Sequence, residues 1–166
     1  MWAAIFALLC GLLVALPAFA ATAPRLNVSL ADIAVPDRPF DESADANAVV
    51  ANAFARAKTA HKRVLIDLGG NWCADCRILA GVMELPEMRR FLGTHYVVVS
   101  VDVGRFNRNL QIPARFGITE RLEGVPSVLI ADPDGKLIDG GHIAALEDAR
   151  SMTPQAIADW LAQWAR

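Results

Sequence analysis

The stretch that most constrains this chain runs from Val64 to Leu79: Val-Leu-Ile-Asp-Leu-Gly-Gly-Asn-Trp-Cys-Ala-Asp-Cys-Arg-Ile-Leu. Val64 to Leu68 is a nearly continuous apolar run, the pattern of a strand covered on both faces. Gly69 and Gly70 allow a sharp turn. A helix is expected to begin at Cys73, with Cys76 one turn later on the same side. Unpaired backbone N–H groups and the positive end of the helix dipole favour a thiolate at Cys73. Two sulfurs at this spacing can close a small disulfide ring and open it again, so a Cys-x-x-Cys beside a βαβ pattern reads as a redox site. Cys73 is the expected nucleophile, being more exposed and better stabilised as an anion; Cys76 sits deeper and resolves. Asp67, on the buried strand, is expected to have its pKa raised by desolvation. The competing reading is a strand-end aspartate satisfied by backbone amides.

The rest of the chain fits one domain. It has 166 residues and a net charge of −2, which excludes the basic footprint of a nucleic-acid binder. Trp2 to Ala20 is apolar without charge and ends in Pro-Ala-Phe-Ala, small residues at both positions of an A-x-A cleavage site. Residues 1–20 therefore resemble a secretory signal peptide, although the n-region lacks Lys and Arg. Retention of 2–20 as a membrane anchor is the alternative. Cys10 lies inside this segment and reads as a small apolar residue. Its removal leaves two cysteines, both in the motif, in an oxidising compartment. Residues 21–43, with three prolines, read as an arm or linker, with a possible edge strand at Leu26, Val28 and Leu30.

From residue 44 onward the elements follow in order. A helix capped by Ser43 or Asp45 runs to about His61, with Val50, Ala53, Phe54 and Ala57 on one face. After the motif helix, Pro86 restarts a second short segment that Gly93 is expected to stop. Tyr96 to Asp102 is the next strand, parallel to the first. Val103 to Glu123 is a long connection. Arg105, Phe106 and Arg108 in it are either partner contacts or a plain solvated loop. Ser127 to Ala131 is a strand, Asp132 to Gly135 a turn, and Lys136 to Asp139 a returning antiparallel strand. Thr153 caps a last helix, with Ile157, Trp160, Leu161 and Trp164 on one face.

Trp72-Cys-Ala-Asp-Cys-Arg77 resembles the thioredoxin superfamily's active-site motif, Trp-Cys-x-x-Cys-Lys/Arg. Gly124-Val-Pro-Ser127 resembles its cis-proline loop, and Asp67, six residues before Cys73, matches its buried acid. The likeness spans about Ala44 to the C-terminus. The stretch resembles exported bacterial thioredoxin-like proteins and the C-terminal domain of DsbD. The resemblance implies a thioredoxin fold: a three-layer α/β/α sandwich around a central mixed sheet. It also implies that Asp67 passes a proton to or from Cys76, that Trp72 offers a flat apolar contact, and that Val125, before cis-Pro126, pairs with the substrate chain.

Ala74-Asp75 departs from the family's usual Gly-Pro, and Arg77 stands for the usual lysine. A carboxylate beside Cys73 destabilises its thiolate and pushes the couple toward reducing potentials. Gly69, where the family often has tryptophan, is expected to open the site. The expected function is thus a thiol–disulfide oxidoreductase, a reductase of disulfides in exported proteins. It would be monomeric and without nucleic acid, and would need no cofactor beyond the Cys73–Cys76 pair. With no nucleotide or flavin motif, its electrons would come from a membrane or periplasmic thiol–disulfide donor. Two other readings stay open. One is a non-catalytic interaction domain with a structural disulfide. The other is a soft-metal module, although a second Cys or His pair at ligand spacing is missing and the residue after Cys76 is not the His of a haem motif.

Overall fold

In the computed structural model, which describes residues 21–165, Asp45 caps the first helix, α1 (Ala46–Ala60). Its carboxylate accepts from the backbone N–H groups of Asn47 and Ala48, two donors the helix itself cannot satisfy. His61, exposed and in the left-handed region, ends the helix and turns the chain into β1 (Arg63–Gly69). Every residue of β1 after Arg63 is buried, as its unbroken apolar run requires. Helices α2 (Ala74–Met83) and α3 (Pro86–His95) carry the chain across to β2 (Tyr96–Asp102), which pairs parallel to β1 from Arg63↔Tyr96 to Gly69↔Asp102.

A long connection containing the one-turn helix α4 (Gln111–Ala114) leads to β3 (Ser127–Ala131), antiparallel to β1 on its other side. The sheet order is β2-β1-β3. Helix α5 (Pro154–Gln163), capped by Thr153, closes the fold. Leu65, Val128 and Ile130 face Leu79, Met88, Ile157 and Leu161 on one side of the sheet. Val64, Ile66, Leu68 and Leu129 face Val50, Ala53, Ala57 and Ile112 on the other. This is the expected α/β/α thioredoxin sandwich with a mixed central sheet.

Three local expectations are corrected. The returning strand at Lys136–Asp139 shrinks to a single bridge, Ala131↔Leu137. Beyond it, the Asp139 carboxylate takes the Ile130 N–H at 3.0 Å, where a fourth strand would have offered a carbonyl. Gly140 and Gly141, both at positive φ, then turn the chain away. The alternation at Leu26, Val28 and Leu30 makes no strand, because the side chain of Gln155 on α5 holds this stretch, accepting from Leu26 N and donating to Pro24 O. Leu30–Asp32 forms a 3-10 turn instead. Gly93 does not stop α3, which runs on to His95 and ends where Tyr96 enters β2 with extended backbone. The signal-like segment 1–20, with Cys10, lies outside the described residues. Among the described residues no helix is long and apolar enough to cross a membrane.

Candidate active site

The site lies where β1 hands over to α2. Cys73 is the N-cap of α2, with extended backbone, and its sulfur accepts the Cys76 N–H at 3.1 Å. The turn leading in is closed by the Cys73 N–H on Gly70 O. Cys73 and Cys76 form a disulfide. Cys73 is 5% exposed and Cys76 is fully buried, so the outer sulfur is the one an incoming group meets first. The Val125–Pro126 bond is cis, and the carbonyl oxygen of Val125 stands 3.3 Å from the Cys73 sulfur. Residues 52 apart in sequence thus face each other across the disulfide.

Asp67 lies fully buried in β1. Strand alternation puts its side chain on the same face as Leu65 and Gly69, the face that α2 covers. Neither carboxylate oxygen has a protein hydrogen-bond partner, so the reading of an aspartate satisfied by backbone amides does not hold. Desolvation alone pushes its pKa up to about 7. A carboxyl with that value exchanges protons near neutral pH, which suits acid–base work beside a thiol.

Around the disulfide runs a cleft of about 550 Å³, bounded by Trp72, Ala74, Phe106, Val125, Glu147 and Arg150 among others. Trp72 is 44% exposed yet fixed, its indole N–H donating to Gly104 O at 2.7 Å. Phe106 meets it edge-on, with ring centroids 6.2 Å apart. Arg105 lies over the Trp72 ring and Arg121 over the Phe106 ring. Of the three loop residues singled out by sequence, Phe106 therefore borders the cleft, and Arg105 stacks on the ring of Trp72, which also borders it. Arg108 instead braces the fold, pairing with buried Asp102 at 3.0 Å and donating to Glu42 O.

Three expectations about tuning change. Asp75 is not a bare negative charge beside Cys73. It is 4% exposed, accepts the Arg150 N–H at 2.9 Å and pairs with the Arg150 guanidinium at 2.8 Å. Its field at the sulfur is largely compensated, so it cannot carry the argument for a reducing potential. Arg77 points away from the sulfurs and holds Pro36 O and Asp37 of the N-terminal arm. Ala74 lines the cleft without polar contact from its side chain. Gly69 does not open the site, because the ring of Phe40, 2% exposed, fills the space its missing side chain leaves. Sequence reasoning missed Phe40, Asn71 and Arg150. The only signal was for Phe40, an aromatic residue in a proline-rich arm; no local pattern marks Asn71 or Arg150.

A disulfide between two cysteines three residues apart at a helix start, mounted on this fold over a strand that buries a titratable carboxyl, puts the chain in the class of thiol–disulfide oxidoreductases. Comparison with known proteins agrees. A family profile described as thioredoxin-like matches residues 45–133, and the chain belongs to that family. A solved structure of a disulphide isomerase from Xylella fastidiosa Temecula1 is similar, with 37% identity and a TM-score of 0.69 over 75% of this chain and 94% of that one. Thioredoxin from Listeria monocytogenes is 29% identical over 90 residues, 54% of this chain and 78% of its own length. The oxidised C-terminal domain of DsbD from Neisseria meningitidis matches at 23% identity and a TM-score of 0.43, over 57% and 80% of the two chains.

Proposed function

We propose that this protein reduces disulfides in exported proteins through the Cys73–Cys76 pair. One observation supports the thiol–disulfide exchange in this reading: a disulfide at a helix start, facing the Val125 carbonyl of a cis-proline loop, on the face of β1 that buries Asp67. In the reduced protein the Cys73 thiolate attacks one sulfur of a substrate disulfide. A mixed disulfide forms and the other substrate sulfur leaves as a thiolate. Cys76 then loses its proton, with Asp67 as the acceptor, and attacks the Cys73 sulfur. The substrate leaves as a dithiol and the protein as the disulfide; two electrons have passed. Val125 offers backbone groups to the substrate strand, and Trp72 an apolar platform. The electrons return from another thiol–disulfide protein of the membrane or periplasm. The signal-like segment 1–20 supports an exported or periplasmic site of action, with anchoring through 2–20 as the alternative.

A second reading, disulfide isomerisation, is favoured by the similarity to the Xylella disulphide isomerase. It begins with the same Cys73 attack, but the substrate's own thiol resolves the intermediate. One set of measurements separates the two. The equilibrium potential is read by thiol alkylation in graded glutathione buffers. Insulin reduction and reactivation of a scrambled disulfide protein are followed on the same sample. A potential near or below about −230 mV with insulin reduction supports the reductase. A higher potential with reactivation and little net reduction supports the isomerase. A pair that exchanges with neither insulin nor glutathione is a structural disulfide, and the proposal fails.

A further inference from the structure

The N-terminal arm contributes to the redox centre. A Cβ on Gly69 would lie 2.5 Å from Phe40 Cζ, 3.1 Å from Phe40 Cε1 and 2.9 Å from the Cys76 sulfur. The phenyl ring and the buried sulfur therefore share the space that this glycine leaves empty. Gly69 and Asp67 are alternate residues of one strand and face the same way, so Phe40 occupies the next place along the row from the buried carboxyl. The ring belongs to the same buried cluster as Cys76.

The arm is held for this purpose at several points. The side-chain amide of Asn71, two residues before Cys73, both accepts from Phe40 N and donates to Phe40 O, each at 2.9 Å. It also donates to the Glu42 carboxylate at 2.7 Å. Arg77, just after Cys76, donates to Pro36 O at 2.9 Å. A second glycine, Gly81 on α2, makes room for the same arm: a Cβ there would lie 2.8 Å from Ile33 Cγ2 and 2.9 Å from Ala34 O. Two missing side chains and two polar side chains flanking the cysteines thus fit one segment of chain. A linker merely lying on the surface would need none of them.

We infer that Phe40 is a positioning residue of the redox centre, which keeps the Cys76 side of the disulfide, and the carboxyl beneath, away from water. It touches no substrate and moves no proton; it acts through Cys76 and Asp67. Burial raises the Asp67 pKa, and the Phe40 ring lies against Gly69, the next residue on that face of the strand. Burial also slows reagents that would reach Cys76 directly.

The inference rests on the oxidoreductase reading for its purpose, but its test does not need that activity. In a Cys73→Ser background the single remaining motif thiol is Cys76. Its alkylation rate is measured against pH with Phe40 intact, with Phe40→Ala and with Phe40→Leu. Asn71→Ala frees the Phe40 backbone without emptying the core, and serves if Phe40→Ala fails to fold by circular dichroism. The expected result is alkylation faster by about tenfold or more in Phe40→Ala. The pH profile's carboxyl-dependent limb, identified as the one lost in Asp67→Asn, should move down by about one unit. Phe40→Leu should restore most of both, and Asn71→Ala should move them part of the way. Rates and profiles that superimpose across all of these variants overturn the inference. A wild-type protein that shields Cys76 through Phe40 but reduces no disulfide sinks the proposed function and leaves the shielding in place.

Discussion

A carboxyl buried with neither oxygen bonded to protein is easier to bury protonated than ionised. Asp67 accordingly titrates near 7 in the folded protein, against an ordinary value of 3.8. Between those values the folded state holds a proton that the unfolded state has lost, so stability falls as pH rises from about 4 to about 7 and then levels. At about 1.4 kcal/mol per unit the loss is at most about 4 kcal/mol. Asp67→Asn removes it. The melting temperature of the asparagine variant should exceed that of the wild type at pH 8, with the gap closing toward pH 4. An equal gap at both pH values would mean that Asp67 does not carry the buried proton. The same change should slow substrate release more than initial attack, since only the resolving thiol needs the acceptor. The sulfurs divide the same way. Cys76→Ser should accumulate a mixed disulfide on Cys73 that non-reducing electrophoresis resolves, whereas Cys73→Ser should trap none.

At the scale of elements, the chemistry depends on how α2 is set against its neighbours. Arg150 belongs to the short 3-10 turn Ala149–Ser151, and its backbone and side chain both bind Asp75 in the first turn of α2. Removing the guanidinium with Arg150→Gln leaves a buried carboxylate close to Cys73 without its cation. That destabilises the thiolate and should lower the redox potential of the pair. Asp75→Asn leaves the cation instead and should raise it. Equilibration with glutathione reads both shifts, and shifts of the same sign would refute the compensation argument. This pairing was not legible in the sequence, because 75 residues separate its partners. The strand, the Gly-Gly turn, the cysteine cap and the cis-proline loop were legible because each is written in a few adjacent residues. The fourth strand was misread for a related reason. Lys136 to Asp139 has a strand's local pattern, and only the tertiary position of the Asp139 carboxylate takes the ladder bond from the main chain. Gly69 likewise marks an absence in the sequence, and what fills it comes from 29 residues earlier.

At the scale of the molecule, the segments outside the sheet and main helices build the walls of the site. The arm closes the Cys76 side, and the long 103–123 connection raises Phe106 beside Trp72 over the Cys73 side. Phe106 sits at φ 63, a left-handed backbone that an aromatic residue rarely adopts, and its ring is braced by Arg121. Two neighbouring rings beside a reactive sulfur give a polypeptide apolar area to bind, whereas a small disulfide needs only the sulfur itself. Phe106→Ala should therefore weaken reaction with a protein disulfide more than reaction with a small linear one. The lost aromatic contact is worth about 1 kcal/mol, or about fivefold in kcat/KM for the protein substrate. The comparison of the two substrates is the informative measurement. Equal losses on both would mean that the ring steadies Trp72 and the motif instead of meeting the substrate. A selective loss on the protein substrate would make the long connection part of the surface by which this protein chooses its disulfide partners.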